Sequence, residues 1–213
     1  MAMRAYNEMY LNHAAKNLGS MLDYAVNDCE MDGGFLLQMF ITSGLATQFE
    51  RGVPKVIAGM SGVELAVLAI ETATGHKPAA APQMRDYRTR EYWAGWALAH
   101  YQWYTAGSFS TILRFLPFDD IVHMHPTLHE ADITKFYITA SEIRLRRFPK
   151  TNLKRIREAT GLSQSQLAKE AGVSLRSVQM YEQRNKDVNK AQAISLTKIA
   201  RVLSCAVEDL LEN

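Results

Sequence analysis

Cysteine is almost missing. Only Cys29 and Cys205 occur in 213 residues, far apart in the chain. Neither has a C-x-x-C partner, which excludes a disulfide framework and a zinc motif of that kind. The plain expectation is two buried free thiols, since unmodified cysteine behaves as a small hydrophobe. Long apolar runs are missing too. The best, "GVELAVLAI", is short and carries Glu64, far from the ~18 to 20 residues that span a bilayer. The N-terminal "MAMRAYNEMYLNHAAKNLG" lacks the apolar core of a signal peptide. Together these predict a cytoplasmic protein with no membrane partner. No G-x-S-x-G, P-loop or G-x-G-x-x-G occurs. No catalytic residue, cofactor-binding residue or metal ligand is assigned, and the chain reads as a non-enzyme.

What is present is an ordinary globular balance, 47% hydrophobic and 22% charged, with room for one large domain or two small ones. The net charge of +2 hides an asymmetry. Residues 150–213 carry 11 Lys+Arg against 7 Asp+Glu, a net +4, and the remainder 13 against 15, a net −2. The basic excess is densest in "RLRRFPKTNLKRIR", where Arg144, Arg146, Arg147, Lys150, Lys154, Arg155 and Arg157 run without an acidic residue. Such a run gains meaning only beside a nucleic-acid-binding motif.

Strand signals are scarce, and helix starts recur. Ser61 and Glu64 have capping-box spacing ahead of "LAVLAIETAT", which Gly75 ends; Thr127 and Glu130 have the same spacing ahead of "ADITKFYITASEIRLRRF". Thr89 precedes "EYWAGWALAHYQWY", and Thr151 follows Pro149. "GHKPAAAPQMRDYR", about residues 75–88, reads as a linker or long loop that leaves the N-terminal portion as one lobe or two. Pro149 marks the larger break, since proline lacks the amide donor and disfavours helix in the residue before it. The expected fold is all-α: an N-terminal helical domain, residues 1–148, then a compact five-helix module, residues 150–213.

Inside that module Ser163 and Gln166 have capping-box spacing for a short helix with Leu167 and Ala171 on its apolar face. Gly172 supplies the left-handed turn that ends it, and Ser174 caps the next helix. Val178 and Tyr181 turn inward at a spacing of three, while Arg176, Gln179, Met180 and Gln183 cluster opposite them. The pattern is helix, tight turn, helix. "SQSQLAKEAGVSLRSVQMYE" resembles the helix-turn-helix of the phage-repressor family, the Cro/C1-type or lambda-repressor-like DNA-binding domains. "NLKRIREATGL" is similar to that family's first helix, and "SLTKIARVLSCAVEDLL" to its fourth and fifth. One departure stands out. The family usually places a glycine soon after the Tyr-Glu pair, but "QRNKDVNKAQ" has none and is a few residues longer.

The resemblance implies double-stranded DNA as partner, with the second helix in the major groove, where Arg reads guanine and Gln reads adenine. Arg176 and Gln179 are the expected base readers, with Ser174, Leu175 and Met180 close to base edges. Gln164 is expected on a phosphate, with Ser177, Arg184 and Lys186 as further backbone contacts.

Weaker constellations carry less. "HMHPTLHE" holds His123, His125, His129 and Glu130, but its spacing is not H-E-x-x-H, and Pro126 is expected to interrupt any helix that would align the ligands. It reads as a loop with exposed histidines. Asp119 and Asp120 read as helix-start residues, and "DGGF" at Asp32 to Phe35 as a turn. Apolar residues at helical spacing (Met21, Tyr24 and Ala25; Phe35, Met39 and Phe40) make a core or a dimer seam. The stretch from Glu91 to Tyr104 holds all three tryptophans on a helix with one broad aromatic face: core packing, a partner surface or a small-molecule cage. The expected function is a dimeric, sequence-specific transcription repressor whose N-terminal domain dimerises or senses an effector. The alternative is an antitoxin whose N-terminal portion holds a toxin while the C-terminal module represses its own operon.

Overall fold

Helix follows helix from Leu11 to Val202, and no strand occurs among the described residues. The computed structural model describes residues 4–148 and 150–212. Pro149, on which the predicted break turns, lies outside the described residues. No described helix is long and apolar enough to cross a membrane. Two compact units are present, Met1–Arg144 and Leu145–Asn213.

In the first unit α1 (Leu11–Asn27) buries Leu11, Ala14, Ala15, Leu18, Met21, Leu22 and Ala25, a stripe at spacings of three and four that faces the core. Next come α2 (Gly33–Thr42), α3 (Leu45–Glu50), α4 (Pro54–Ile57) and α5 (Gly62–Thr74). After a helix-free stretch come α6 (Arg90–Thr105), α7 (Phe109–Phe115), α8 (Phe118–Leu128) and α9 (Ile133–Arg147), of which residues 145–147 fall in the second unit. Helices α5 and α6, on either side of that stretch, both pack on α1. The intervening loop is tied to the end of α1: Tyr24 Oη donates to the Ala80 carbonyl at 2.7 Å, and Arg85 pairs with Asp28. Phe40, Phe49 and Phe109 meet edge-to-face with centroids 5.5 to 5.9 Å apart.

Helix α6 differs from the expected single aromatic face. It is buried on nearly every side, so its aromatics serve several contacts. Gly95 lies at the crossing with α1, where an added Cβ would stand 2.5 Å from the Leu18 carbonyl. On the other side Trp93 and Tyr101 meet Phe136 of α9 at 5.7 and 6.1 Å. Tyr104 stacks on Tyr137 at 4.3 Å, and Trp103 Nε1 donates to the Tyr6 carbonyl at 2.8 Å.

The caps at Ser61–Glu64, Gly75 and Thr89 form as the sequence implies. Five expectations are corrected. Helix α8 runs through Pro126 and takes in Thr127, because proline two residues from a helix end costs only one late hydrogen bond. Thr127 and Glu130 therefore make no capping box, and Asp132 accepts instead from the Thr134 backbone N–H at 2.9 Å. "DGGF" is a helix start: Asp32 caps α2 by accepting from the Phe35 N–H at 2.7 Å. Phe35 is 56% exposed, although Met39 and Phe40 are buried. Both cysteines are free, and each is half-buried.

The second unit holds α10 (Asn152–Ala159), α11 (Gln164–Ala171), α12 (Leu175–Glu182) and α13 (Ala193–Val202), with single 3-10 turns at Val188–Lys190 and Glu208–Leu210. The expected fifth helix is thus a short turn. Leu153, Leu167, Ala171, Val178, Tyr181, Leu196, Ile199 and Leu210 share one core. Val188, 3% exposed, pins the long loop to it.

Candidate nucleic-acid interface

The turn between α11 and α12 is built locally. The Ser163 N–H donates to Gln166 Oε1 at 2.8 Å, and the Gln166 N–H returns to Ser163 Oγ at 3.2 Å. Gly172 closes α11 at φ +59°, a backbone state that costs glycine least. Ser174 Oγ then accepts from the Ser177 N–H at 3.0 Å. Only Gly172, Val173 and Ser174 separate the helices, so the angle of α12 follows from these bonds and from Val178 and Tyr181, which are 0% and 5% exposed.

One anchor escaped the sequence reading, and it amends the basic run. Arg157 is paired: its Nε and Nη2 donate to Glu182 Oε1 and Oε2 at 2.6 and 2.9 Å, and its Nη1 to the Leu162 carbonyl at 2.5 Å. The bond from Glu182, then its negative charge, raises the guanidinium pKa above its ordinary value against the pull of burial. Gln164 Nε2 donates to Glu182 Oε2 at 2.8 Å. Lys150 is likewise paired, with Glu158 at 2.6 Å. A signal for the anchor was available, since Arg157 stands four residues after Leu153 and shares its inward face.

The predicted contact residues then separate. Leu175, at 39%, and Arg176 are exposed, Ser177, Gln179 and Met180 are half-buried. The side chains of Arg176 and Gln179 have no hydrogen-bond or ion-pair partner among the described residues. Gln164 is held by Glu182, with one amide N–H of its two left over. Lys186 folds back, its Nζ 5.6 Å from the Tyr181 ring centroid. Arg184 adopts φ +57° and reaches the Phe148 carbonyl at 3.0 Å and Glu212 Oε2 at 3.3 Å. It thus takes the left-handed position just beyond α12 that glycine fills most cheaply, which accounts for a loop without glycine. Beside the N-terminus of α12 lies a polar cleft of about 260 Å³ lined in part by Ser174, Ser177, Ser195 and Lys198. Ser195 and Lys198 were not predicted, because α13 reaches this edge only in the folded unit.

Residues 153–210 match the helix-turn-helix family model, of the Cro/C1 type, while the N-terminal portion matches no family. No curated protein matches the chain, and no solved structure does. Residues 153–210 therefore form a Cro/C1-type helix-turn-helix domain within the C-terminal unit.

Proposed function

We propose that this protein is a sequence-specific transcription regulator that binds its operator as a homodimer and represses, with residues 1–148 joining the subunits and sensing an effector. The observation that carries it is the division of polar groups along α12. Glu182 is buried and triply bonded, whereas Arg176 and Gln179 on the same helix have no hydrogen-bond or ion-pair partner among the described residues. Groups held ready in this way suit base edges in the major groove. Ser174, Leu175 and Met180 flank them, Leu175 or Met180 meeting a thymine methyl. Gln164, Ser177, Arg184 and Lys186 take phosphates, joined by Ser195 and Lys198. The other groups leave Arg184 the least free of these.

A footprint on the DNA upstream of its own gene tests the reading, and two protected half-sites about one helical turn apart are expected. Arg176→Ala is expected to cost ~1–3 kcal/mol and to relax specificity at one base position. Affinity is expected to fall steeply with salt as counterions are released. An unprotected upstream region, or binding indifferent to salt, defeats the proposal. Co-purification of a stoichiometric small protein from the neighbouring gene would give residues 1–148 the antitoxin role instead.

A further inference from the structure

Helices α6 and α8 leave a cleft of about 220 Å³ between them, lined by Arg88, Tyr92, Trp93, Trp96, His125 and His129. Its walls are rings. Trp93 meets His125 edge-on at 5.5 Å, and His125 stacks on His129 at 4.5 Å with the planes 20° apart. Trp96 is braced from beneath by His100, centroids 4.2 Å apart. The passage of α8 through Pro126 puts His125 and His129 on one helical face, four residues apart. Two histidines alone do not make a metal site, and no group of three or more metal-binding side chains occurs among the described residues.

The rim sets the charge of what enters. Arg90 is paired with Glu91 at 2.7 Å. Arg85 is paired with Asp28 and stands 3.6 Å from Asp23, whose carboxylate also accepts from Thr89 Oγ1 at 2.5 Å. These carboxylates are therefore engaged, and Glu130, 88% exposed, stands 3.6 Å from His129 Nε2. Arg88 is exposed and has no carboxylate partner among the described residues; its guanidinium carbon sits 5.1 Å over the Tyr92 ring centroid. A cationic guest would meet this like charge. An anionic one would find flat ring walls and a fork with several N–H donors suited to a carboxylate.

We infer that this cleft binds a planar aromatic carboxylate of one or two rings, its ring packed among Trp93, Trp96 and the His125–His129 stack and its carboxylate on Arg88. The volume of about 220 Å³ lies below the ~300–1,000 Å³ of drug-sized ligand sites, which limits the guest to that size. As an effector site this rests on the sensing role proposed for residues 1–148. Binding is therefore measured on full-length protein without DNA, and the footprint separately tests the regulator reading.

The experiment is isothermal titration calorimetry with three probes: indole-3-acetate, neutral indole and benzyltrimethylammonium. Indole-3-acetate is expected to bind one to one and about tenfold or more tighter than indole, the scale of one charge-assisted contact. Arg88→Gln, at an exposed position, is expected to remove that advantage and leave indole binding unchanged. Trp96→Ala is expected to weaken both, with circular dichroism confirming that the helices persist. No binding of either indole, tighter binding of the cation, or an unchanged indole-3-acetate affinity in Arg88→Gln overturns the proposal.

Discussion

Replacing Glu182 with alanine is the sharpest test of how α12 is held. The Arg157 and Glu182 side chains are 9% and 2% exposed, so water cannot take the place of a lost partner. The alanine leaves a buried guanidinium with the Leu162 carbonyl and a Glu158 carboxylate at 4.0 Å, and frees Gln164 from its bond. Breaking a buried pair from one side costs ~3–5 kcal/mol. At ~0.05–0.15 kcal/mol per residue, the unit Leu145–Asn213 has about 3–10 kcal/mol in total, so the loss takes a large share of it. The helix-turn-helix unit is expected to be strongly destabilised in Glu182→Ala, and operator binding weakened with it. The three tryptophans all lie in residues 1–144, so their fluorescence does not report this unit. Hydrogen–deuterium exchange of peptides from residues 150–212 does. The paired change Arg157→Met with Glu182→Leu removes both charges and is expected to restore protection to within ~1–2 kcal/mol of the parent, since apolar replacement of a buried pair is often neutral. If Glu182→Ala loses less than ~1 kcal/mol, or the double variant is as unprotected as the single one, the pair does not hold α12 as argued.

Burial pushes the His100 pKa down to about 4 from its ordinary 6.5. The unfolded chain then binds the extra proton as pH falls below about 6.5, so native stability is full above that pH and is lost progressively toward about 4. Between pH 7 and pH 5 the loss is ~2 kcal/mol. Urea melts followed by tryptophan fluorescence are expected to show it in the parent and not in His100→Leu, and parallel losses in both would count against a neutral buried His100. Gly95→Ala puts a Cβ 2.5 Å from the Leu18 carbonyl at the α1–α6 crossing; overpacking of this kind costs ~1–3 kcal/mol, read as a lower urea midpoint of the first unit. Arg184→Gly relieves a left-handed backbone state worth ~1 kcal/mol but deletes the contacts to Glu212 and Phe148. Its exchange protection is expected to stay within ~1 kcal/mol of the parent, and a much larger loss would show that the side-chain contacts dominate the loop.

The local signals in the sequence were strong where bonding is local. Ser61 with Glu64, Thr89, Ser163 with Gln166, Gly172 and Ser174 each act within four residues, and each forms the predicted cap or turn. The inward Val178 and Tyr181 are equally local, because helical spacing alone aligns them. These features identified an all-α chain and its DNA-binding unit. What depends on distant residues was decided by packing. Arg157 reads as one more member of a basic run until α12 brings Glu182 to it across 25 positions. Pro126 reads as a helix breaker, yet near the end of α8 it removes a single bond and leaves His125 and His129 facing Trp93 and Trp96. The aromatic stretch reads as one face, but α6 is enclosed on nearly all sides, so its rings are shared among Phe136, Tyr137, Tyr6 and the cleft with α8. Spacing along a chain specifies which groups share a face; only the folded molecule specifies what that face meets.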